Sequence, residues 1–249
     1  MKDTLLNKIS NFTAKLTQLK WIQGISRGGM QVMPFIMVGS FASLFAGLQF
    51  ESYQSFLTST GLGTALQWVT NCTTNIMGIL FVYFIAKSYA EILNLEEKNI
   101  GIISIAIYLI LCPSVMTETG SLLSFDYLGS KGVIMGIILA IVVVRIYQYI
   151  LSKNVKIKLP EGTPEYVSNS FGAIIPFIIL AIIALIIRMV FIYTPYNTIF
   201  ESFYALLQIP LNAIVGENIF SQLVLNVVAQ SLWVFGIHGS SIIDTLRGP

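Results

Sequence analysis

A short stretch near the C-terminus combines an aromatic ring, a histidine and two hydroxyls. It reads Trp-Val-Phe-Gly-Ile-His-Gly-Ser-Ser, and its His238 is the only histidine in the chain. A neutral imidazole offers one hydrogen-bond donor and one acceptor, which suits a sugar hydroxyl. Glycine lets the backbone approach a ligand closely, and the indole of Trp233 offers an apolar face to a pyranose ring. One interpretation is therefore that Trp233, His238, Gly239 and Ser240 contact a bound sugar.

Two interpretations of this stretch remain open at the level of pattern. Non-helical backbone at membrane depth occurs only where it is buried in protein or lines a watery cavity. The first interpretation is therefore a re-entrant segment beside a transport site. The second is an ordinary histidine at the membrane interface, hydrogen-bonded to a backbone carbonyl.

Other chemistry finds no support in the sequence. There is no Walker loop, no HExxH, no GxSxG and no Cys/His cluster. A single histidine excludes a histidine-rich metal site, and we expect no cofactor. Cys72 and Cys112 form no CxxC pattern and are interpreted as small buried hydrophobes. The pair Glu96-Glu97 is interpreted as a solvated turn.

The composition predicts an integral membrane protein. Of 249 residues, 55% are hydrophobic and only 10% are charged, whereas soluble domains carry about 25% charged residues. The apolar runs are long enough to cross a hydrocarbon core, which takes about 20 helical residues. The net charge of +2 gives no indication of a nucleic-acid partner, whereas the lipid bilayer is an expected one.

The apolar runs predict an all-α membrane protein with about six transmembrane helices. The predicted spans cover residues 29–48, 66–90, 100–113, 131–151, 171–193 and 219–237. Pro113 is expected to end the third span, and Pro176 is placed in the first turns of the fifth, where proline costs least. Polar residues between Thr70 and Asn75 indicate that this end of the second span faces protein or water.

Two further helices are expected outside the spans. Residues 1–28 carry leucine, isoleucine and phenylalanine at helical spacing, with lysines among them. Such an amphipathic helix lies on an anionic membrane surface or packs against another part of the protein, and the sequence leaves both open. The stretch 194–216 is too polar and too interrupted by prolines for a span, and an interfacial helix suits it better.

The lysines and arginines predict the orientation. They occur before the first span, between the second and third, and after the fourth; the other connections hold only Lys131, at the edge of a span. The positive-inside rule then places the N-terminus in the cytoplasm. Arg145 and Arg188 fall in apolar runs near span ends, where snorkelling to the interface and a place on a substrate path are both possible interpretations.

Four stretches resemble the membrane component, enzyme IIC, of the bacterial phosphoenolpyruvate-dependent sugar phosphotransferase system, in its lactose/cellobiose/diacetylchitobiose branch. They follow one another over nearly the whole chain, in the order and at the spacing of that family. The stretches are Arg27-Gly28-Gly29-Met30 through Pro34 to Val38-Gly39-Ser40, Tyr127-Leu128-Gly129-Ser130-Lys131-Gly132, Ser168-Asn169-Ser170-Phe171 to Pro176, and Trp233 to Gly239.

The resemblance implies a multi-pass permease of the bacterial inner membrane that carries a disaccharide across by alternating access. It implies a homodimer whose interface is formed by the five-helix half at 29–193, after a cytoplasmic helix at 1–28. Residues 194–249 would hold the interfacial helix, the sixth span and the start of a re-entrant hairpin in which His238 contacts the sugar. A cytoplasmic enzyme IIB, charged by enzyme IIA, would phosphorylate the sugar from a phosphocysteine of its own.

The family's members continue beyond the position of Pro249, with a second hairpin and further spans. The resemblance therefore implies that this chain is the N-terminal part of a permease, truncated inside the first hairpin. The alternative that the sequence leaves open is a dimeric membrane fragment or interaction module that does not transport.

Overall fold

The computed structural model describes residue 15, residues 17–214 except 96, 119, 124, 156, 158 and 161, and residues 223, 226, 227 and 230. These residues form a helical bundle with one short β-hairpin. The helices are α1 (Lys20–Ala46), α2 (Glu51–Thr60), α3 (Leu62–Asn71), α4 (Met77–Ile92), α5 (Ile100–Leu111), α6 (Phe125–Leu128), α7 (Val133–Ser152), α8 (Glu165–Ile192) and α9 (Ile199–Ile214), and the strands are β1 (Ser114–Thr117) and β2 (Gly120–Leu123).

Four helical stretches in the described part of the chain are long and apolar enough to cross a membrane. They are Lys20–Ala46, Leu62–Ile92, Ser130–Ser152 and Val167–Ile192, and the apolar helix Ile100–Leu111 is shorter. These five coincide with the first five predicted spans, which supports a multi-pass membrane protein. The predicted sixth span, 219–237, lies outside the continuously described residues.

The first spanning helix starts earlier than predicted. Helix α1 begins at Lys20 rather than at residue 29 and continues through Pro34. Ile22, Ile25 and Gly28 are buried in the bundle, so this part of the predicted surface helix packs against protein. Residues 1–14, the rest of that helix, lie outside the described residues.

The second span is two helices rather than one. Helices α3 and α4 are separated by a 3-10 turn at Thr74–Ile76, because the polar side chains here compete for helical hydrogen bonds. The Thr73 hydroxyl donates to the Val69 carbonyl at 2.6 Å, and the Asn75 amide donates to Asn71 Oδ1 at 2.8 Å.

The expectation of an all-α fold is wrong at one place. Pro113 follows the end of α5, as predicted, but the chain then forms the antiparallel hairpin β1–β2, paired from Ser114↔Leu123 to Thr117↔Gly120. Gly120 has φ +131°, a conformation that L side chains rarely adopt. The hairpin was missed because it is short and lies between apolar helices.

The placement of Pro176 in the first turns of its span is also wrong. Helix α8 begins at Glu165, directly after Pro164, so Pro176 lies well inside it. A proline there removes one backbone hydrogen bond, which membrane helices tolerate when neighbours satisfy the freed carbonyl. In the stretch 194–216, a helix is present as expected, since α9 covers Ile199–Ile214.

Helix α4 forms the centre of the bundle. It packs against α1, α5 and α7, and its Phe81, Val82, Ile85 and Tyr89 are fully buried. Arg27 at the start of α1 and Glu91 at the end of α4 pair with each other, so these two helices are antiparallel. We call this end of the bundle, which also holds the turn between α4 and α5, the basic end.

Candidate functional site

The residues predicted to contact sugar lie outside the described part of the chain. Trp233, His238, Gly239 and Ser240 are all in the segment after residue 230. The structure therefore describes the scaffold that precedes them. Three of the four motif stretches fall on that scaffold, and their residues have defined contacts.

Two glycines near the first motif allow α1 and α4 to touch. A Cβ added to Gly28 would lie 2.6 Å from the Cα and N atoms of Ile85, and one added to Gly24 would lie 2.8 Å from Tyr89 Cβ. Since these neighbours include the backbone of α4, a side chain at Gly28 would force the helices apart. Gln31 donates a hydrogen bond across the same crossing to Ser88 Oγ at 3.2 Å.

The third glycine of that motif faces the break in the second span. A Cβ on Gly39 would collide with the hydroxyls of Thr73 and Thr74. Thr74 Oγ1 is buried and has no hydrogen-bond partner among the described residues, while Ser43 and Thr70 share a hydrogen bond of 3.0 Å. The polar residues predicted to face protein or water thus face α1.

The second motif forms the tight start of α7. A Cβ on Gly132 would collide with the Tyr108 hydroxyl and the Tyr127 carbonyl, and one on Gly129 would lie 2.9 Å from the Asn75 carbonyl oxygen. The Tyr108 hydroxyl donates a hydrogen bond to the Tyr127 carbonyl. The two glycines are needed because three segments meet here without room for a side chain.

Lys131 of the same motif links α7 to α9. Its ammonium lies 4.5 Å from the centre of the Tyr127 ring and 5.5 Å from that of Tyr204, and it donates to the Tyr127 hydroxyl at 3.1 Å. It also lies 3.9 Å from Glu201 Oε1. Burial raises the pKa of the Glu201 carboxyl above its ordinary value. We call Tyr108, Tyr127, Lys131, Phe200, Glu201 and Tyr204 the α9 joint.

Phe200 is the centre of the α9 joint. Its side chain is fully buried and meets the rings of Tyr108 and Tyr127 edge to face, with centroids 5.1 and 5.9 Å away. Such pairs add about 0.5–1.5 kcal/mol to the burial itself. The joint fixes the start of the helix that leads to the predicted sugar-binding residues. This cluster could not be inferred from the sequence because α5, α6 and α9 are far apart in the chain.

Arg188 binds the end of α5. Its guanidinium donates to the carbonyls of Ile110 and Cys112 and, at 2.9 Å, to Ser114 Oγ. The last carbonyls of a helix have no partner within it, and a cation there also complements the helix dipole. This arginine therefore joins α8 to α5, a role that neither of the two sequence interpretations contained. Arg145, by contrast, contacts only Gln148 and the Tyr89 ring within the described residues.

Glu97 is not the solvated residue that its sequence suggested. It accepts hydrogen bonds from the buried Tyr147 hydroxyl at 2.6 Å and from the Asn99 backbone N–H at 2.9 Å. It therefore fixes the turn between α4 and α5 onto α7. Beside it lies a cleft of about 600 Å³, which we call the basic-end cleft, lined by Tyr83, Lys87, Ala90, Glu91, Leu95, Glu97 and Lys98.

Nothing in the described part of the chain assembles a metal site or a nucleophile. No three His, Cys, Asp or Glu residues among those described come together. Cys112 is buried as predicted, whereas Cys72 is exposed. Neither thiol lies in a loop that could cradle a phosphate.

The sequence matches a known protein family. Residues 26–246 match the model of the family described as phosphotransferase system, EIIC. The cellobiose-specific EIIC component of Geobacillus stearothermophilus is 28% identical over 98% of this chain and 57% of its own length. A lactose-specific EIICB component of Streptococcus mutans is 28% identical over 97% of this chain and 44% of its own.

A solved structure has the same fold. The transporter ChbC, the IIC component from the N,N'-diacetylchitobiose-specific phosphotransferase system, matches with a TM-score of 0.77 and 27% identity. The match covers 99% of this chain and 60% of that one. The chain thus spans between 44% and 60% of the length of these three proteins.

Proposed function

Because the chain belongs to the phosphotransferase system EIIC family, we propose that it forms the N-terminal part of a disaccharide permease. The observation that carries this proposal is the match of residues 26–246 to the family, together with the shared fold. Cellobiose, diacetylchitobiose and lactose are the substrate types in the names of its relatives and of the ChbC system. A disaccharide of this kind is the proposed substrate.

The proposed sugar site comprises Trp233, His238, Gly239 and Ser240. His238 would exchange hydrogen bonds with sugar hydroxyls, since neutral imidazole is both donor and acceptor. The glycine and the serine would bring backbone and hydroxyl groups to the sugar. The α9 joint supports this proposal indirectly, because it gives the segment that leads to the site a fixed starting point.

The proposed division of labour follows from the same scaffold. Residues 29–193 would form the dimerisation half, 1–28 a helix on the cytoplasmic side, and 194–249 the interfacial helix, the sixth span and the start of a re-entrant hairpin. The contacts of α4 with α1, α5 and α7 join the helices of the first half to one another. Such packing suits a part that stays fixed while another part carries the sugar.

The proposed phosphoryl donor is a IIB component, which is itself charged by IIA. The relative named a lactose-specific EIICB component supports a working pair of C and B components. In this scheme the phosphoryl group passes from a IIB cysteine to a sugar hydroxyl, and the thiolate leaves. This chain would bind and expose the sugar.

We propose that the N-terminus and the basic end face the cytoplasm of a bacterial inner membrane. The basic end holds several cations, at helix ends or in the turns beside them: Arg27, Lys87, Lys98 and Lys153. The positive-inside rule places such an end in the cytoplasm. In a chain with the exposed Cys72 changed to serine, Lys153→Cys should react with an impermeant thiol reagent only in inside-out vesicles. Reaction in right-side-out vesicles would reverse the topology.

The function is tested by sugar uptake in cells that also express IIB and IIA. His238→Ala should reduce phosphoenolpyruvate-dependent uptake of cellobiose or diacetylchitobiose by about a hundredfold, since a sugar hydroxyl left without its hydrogen-bond partner costs about 1–3 kcal/mol in binding and the sugar is also less well positioned. Tyr149→Phe is the matched control, because Tyr149 is 64% exposed at the basic end. Unchanged uptake in His238→Ala would remove this residue from the site. If the unaltered chain forms dimers but takes up no sugar, the alternative of a dimeric interaction module that does not transport would be favoured.

A further inference from the structure

The basic-end cleft contains a lysine, Lys87, whose charge has no partner among the described residues. It lies between the end of α4 and the turn that leads to α5, and its volume is about 600 Å³. Lys87 is exposed on α4, and no ion pair or hydrogen bond within the described residues involves its ammonium. A long apolar stem with an unpaired ammonium at a membrane interface is suited to bind an anion.

The carboxylates of the cleft are already occupied. Glu91 pairs with Arg27 at 2.8 Å. Glu97 accepts hydrogen bonds from the Tyr147 hydroxyl and from the Asn99 backbone N–H. The described lining of the cleft holds these two carboxylates and two lysines, Lys87 and Lys98. Lys98 interacts with another group, so Lys87 is the lining charge that has no partner within the described residues.

Apolar side chains continue from the cleft toward the middle of the bundle. Phe84 lies one turn before Lys87 on α4 and packs against Phe35 of α1, with ring centroids 5.9 Å apart. Ile102, on the first turn of α5, is 62% exposed, next to Gly101 where Tyr83 packs. The surface thus changes from cationic at the basic end to apolar at membrane depth.

We propose that this surface is a binding site for an anionic phospholipid, whose phosphate contacts Lys87. A lipid presents an anionic headgroup directly above an apolar chain, which is the order in which this surface presents Lys87, Phe84 and Ile102. A soluble anion would use the cation but not the apolar wall. A second protein segment would need an acidic residue at the membrane interface with apolar residues below it.

The test is native mass spectrometry of the chain in detergent with phosphatidylglycerol. Lys87→Gln should weaken retention of this lipid about fivefold, the contribution of one cation near an anionic membrane surface. Lys87→Arg should retain it within about twofold, since it keeps the charge. Lys153→Gln is the matched control, because Lys153 is an exposed lysine at the same end, outside the cleft. Equal retention by Lys87→Gln and Lys153→Gln would overturn the proposal.

A second measurement identifies the occupant directly and does not depend on the Lys87 variants. A photoreactive benzoylphenylalanine at Ile102, in membranes that contain phosphatidylglycerol, should add the mass of a phospholipid to the protein. Irradiation that instead joins two copies, or joins position 102 to another segment of the protein, would show that protein fills this surface and would contradict the lipid site.

Discussion

Close contacts between chain segments explain why three of the motif positions are glycine. Gly28, Gly39 and Gly132 each lie where a Cβ would meet a neighbouring segment. A short pattern of glycines in an apolar run therefore reflects close packing of helices, which is a common use of small residues in membrane proteins. The glycines of the first two motifs thus act in the scaffold, whereas the predicted sugar contacts belong to the fourth.

Gly28→Ala should destabilise the bundle. Its Cβ would lie 2.6 Å from the Ile85 backbone, and overpacking of this kind costs about 1–3 kcal/mol. The midpoint of thermal unfolding in detergent should fall by about 2–4 °C per kcal/mol. Gly172→Ala is the matched control, because no atom lies within 4 Å of its added Cβ and alanine favours a helix. A fall in both variants would show that the α1–α4 crossing is not the cause.

Arg188→Gln should lower stability more than Arg145→Gln. Arg188 donates to two carbonyls and a hydroxyl at the end of α5, and hydrogen bonds of charged groups are worth about 1.5–3 kcal/mol each. Arg145 is exposed and bonds one glutamine. The measurement is a titration with sodium dodecyl sulfate in which circular dichroism monitors unfolding. Equal loss in the two variants would contradict the role given to Arg188.

Among the elements, α9 has the contacts that matter most for the proposed function. It meets the scaffold through Phe200 and Tyr204, which are buried, and through the pair of Glu201 with Lys131. Helices that connect a fixed part to a moving part need a firm attachment at one end. The α9 joint provides such an attachment near the start of the helix.

Phe200→Ala should loosen α9. Truncating a buried phenylalanine costs about 3–5 kcal/mol, and the two edge-to-face contacts with Tyr108 and Tyr127 are lost as well. Spin labels at Leu206 and Val142, both exposed, should show a broader distance distribution in the variant. Ile182→Ala, a truncation at an exposed position of α8, should leave the distribution unchanged. A narrow distribution in Phe200→Ala would mean that other contacts hold α9.

The attachment of α9 should depend on pH through Glu201. Burial raises the pKa of this carboxyl above its ordinary value of 4.5, so the folded protein binds its proton more readily than the unfolded chain does. Stability should therefore increase as the pH falls through the raised pKa, and the gain should be complete below 4.5. Thermal unfolding measured between pH 7 and about pH 4 tests this, and Glu201→Gln should remove this gain of stability. A loss of stability on acidification that Glu201→Gln abolishes would show the opposite sign, with the ion pair to Lys131 as the dominant effect.

Hydrophobic runs were sufficient to predict the four long apolar helices of the described part of the chain, but not their local breaks. The spans at 131–151 and 171–193 agree with Ser130–Ser152 and Val167–Ile192, because lipid requires long uninterrupted apolar helices. The break at Thr74–Ile76 and the hairpin at Gly120 depend on short-range hydrogen bonds and a positive φ. The α9 joint depends on contacts between distant segments, such as Tyr108 with Phe200. Lys131 was noticed in a motif, but its partners could not be inferred from it.

At the scale of the whole molecule, the described residues form a scaffold with two different ends. The basic end holds the cleft with Lys87, and the other end holds the α9 joint and the Arg188 contacts. The proposed sugar contacts follow α9 in the chain. The proposed sugar site therefore requires that the segment around His238 reach a watery cavity beside this scaffold.

Thiol labelling at Ser240 tests that requirement most directly. In a chain with Cys72, the exposed cysteine, changed to serine, Ser240→Cys keeps His238 in place. We predict that a water-soluble methanethiosulfonate reagent labels Cys72→Ser/Ser240→Cys in membranes, and that cellobiose or diacetylchitobiose slows the labelling several-fold. The Cys72→Ser parent, which keeps only the buried Cys112, is the control for background. Absence of labelling, or labelling that none of the disaccharides slows, would contradict a sugar site at this segment.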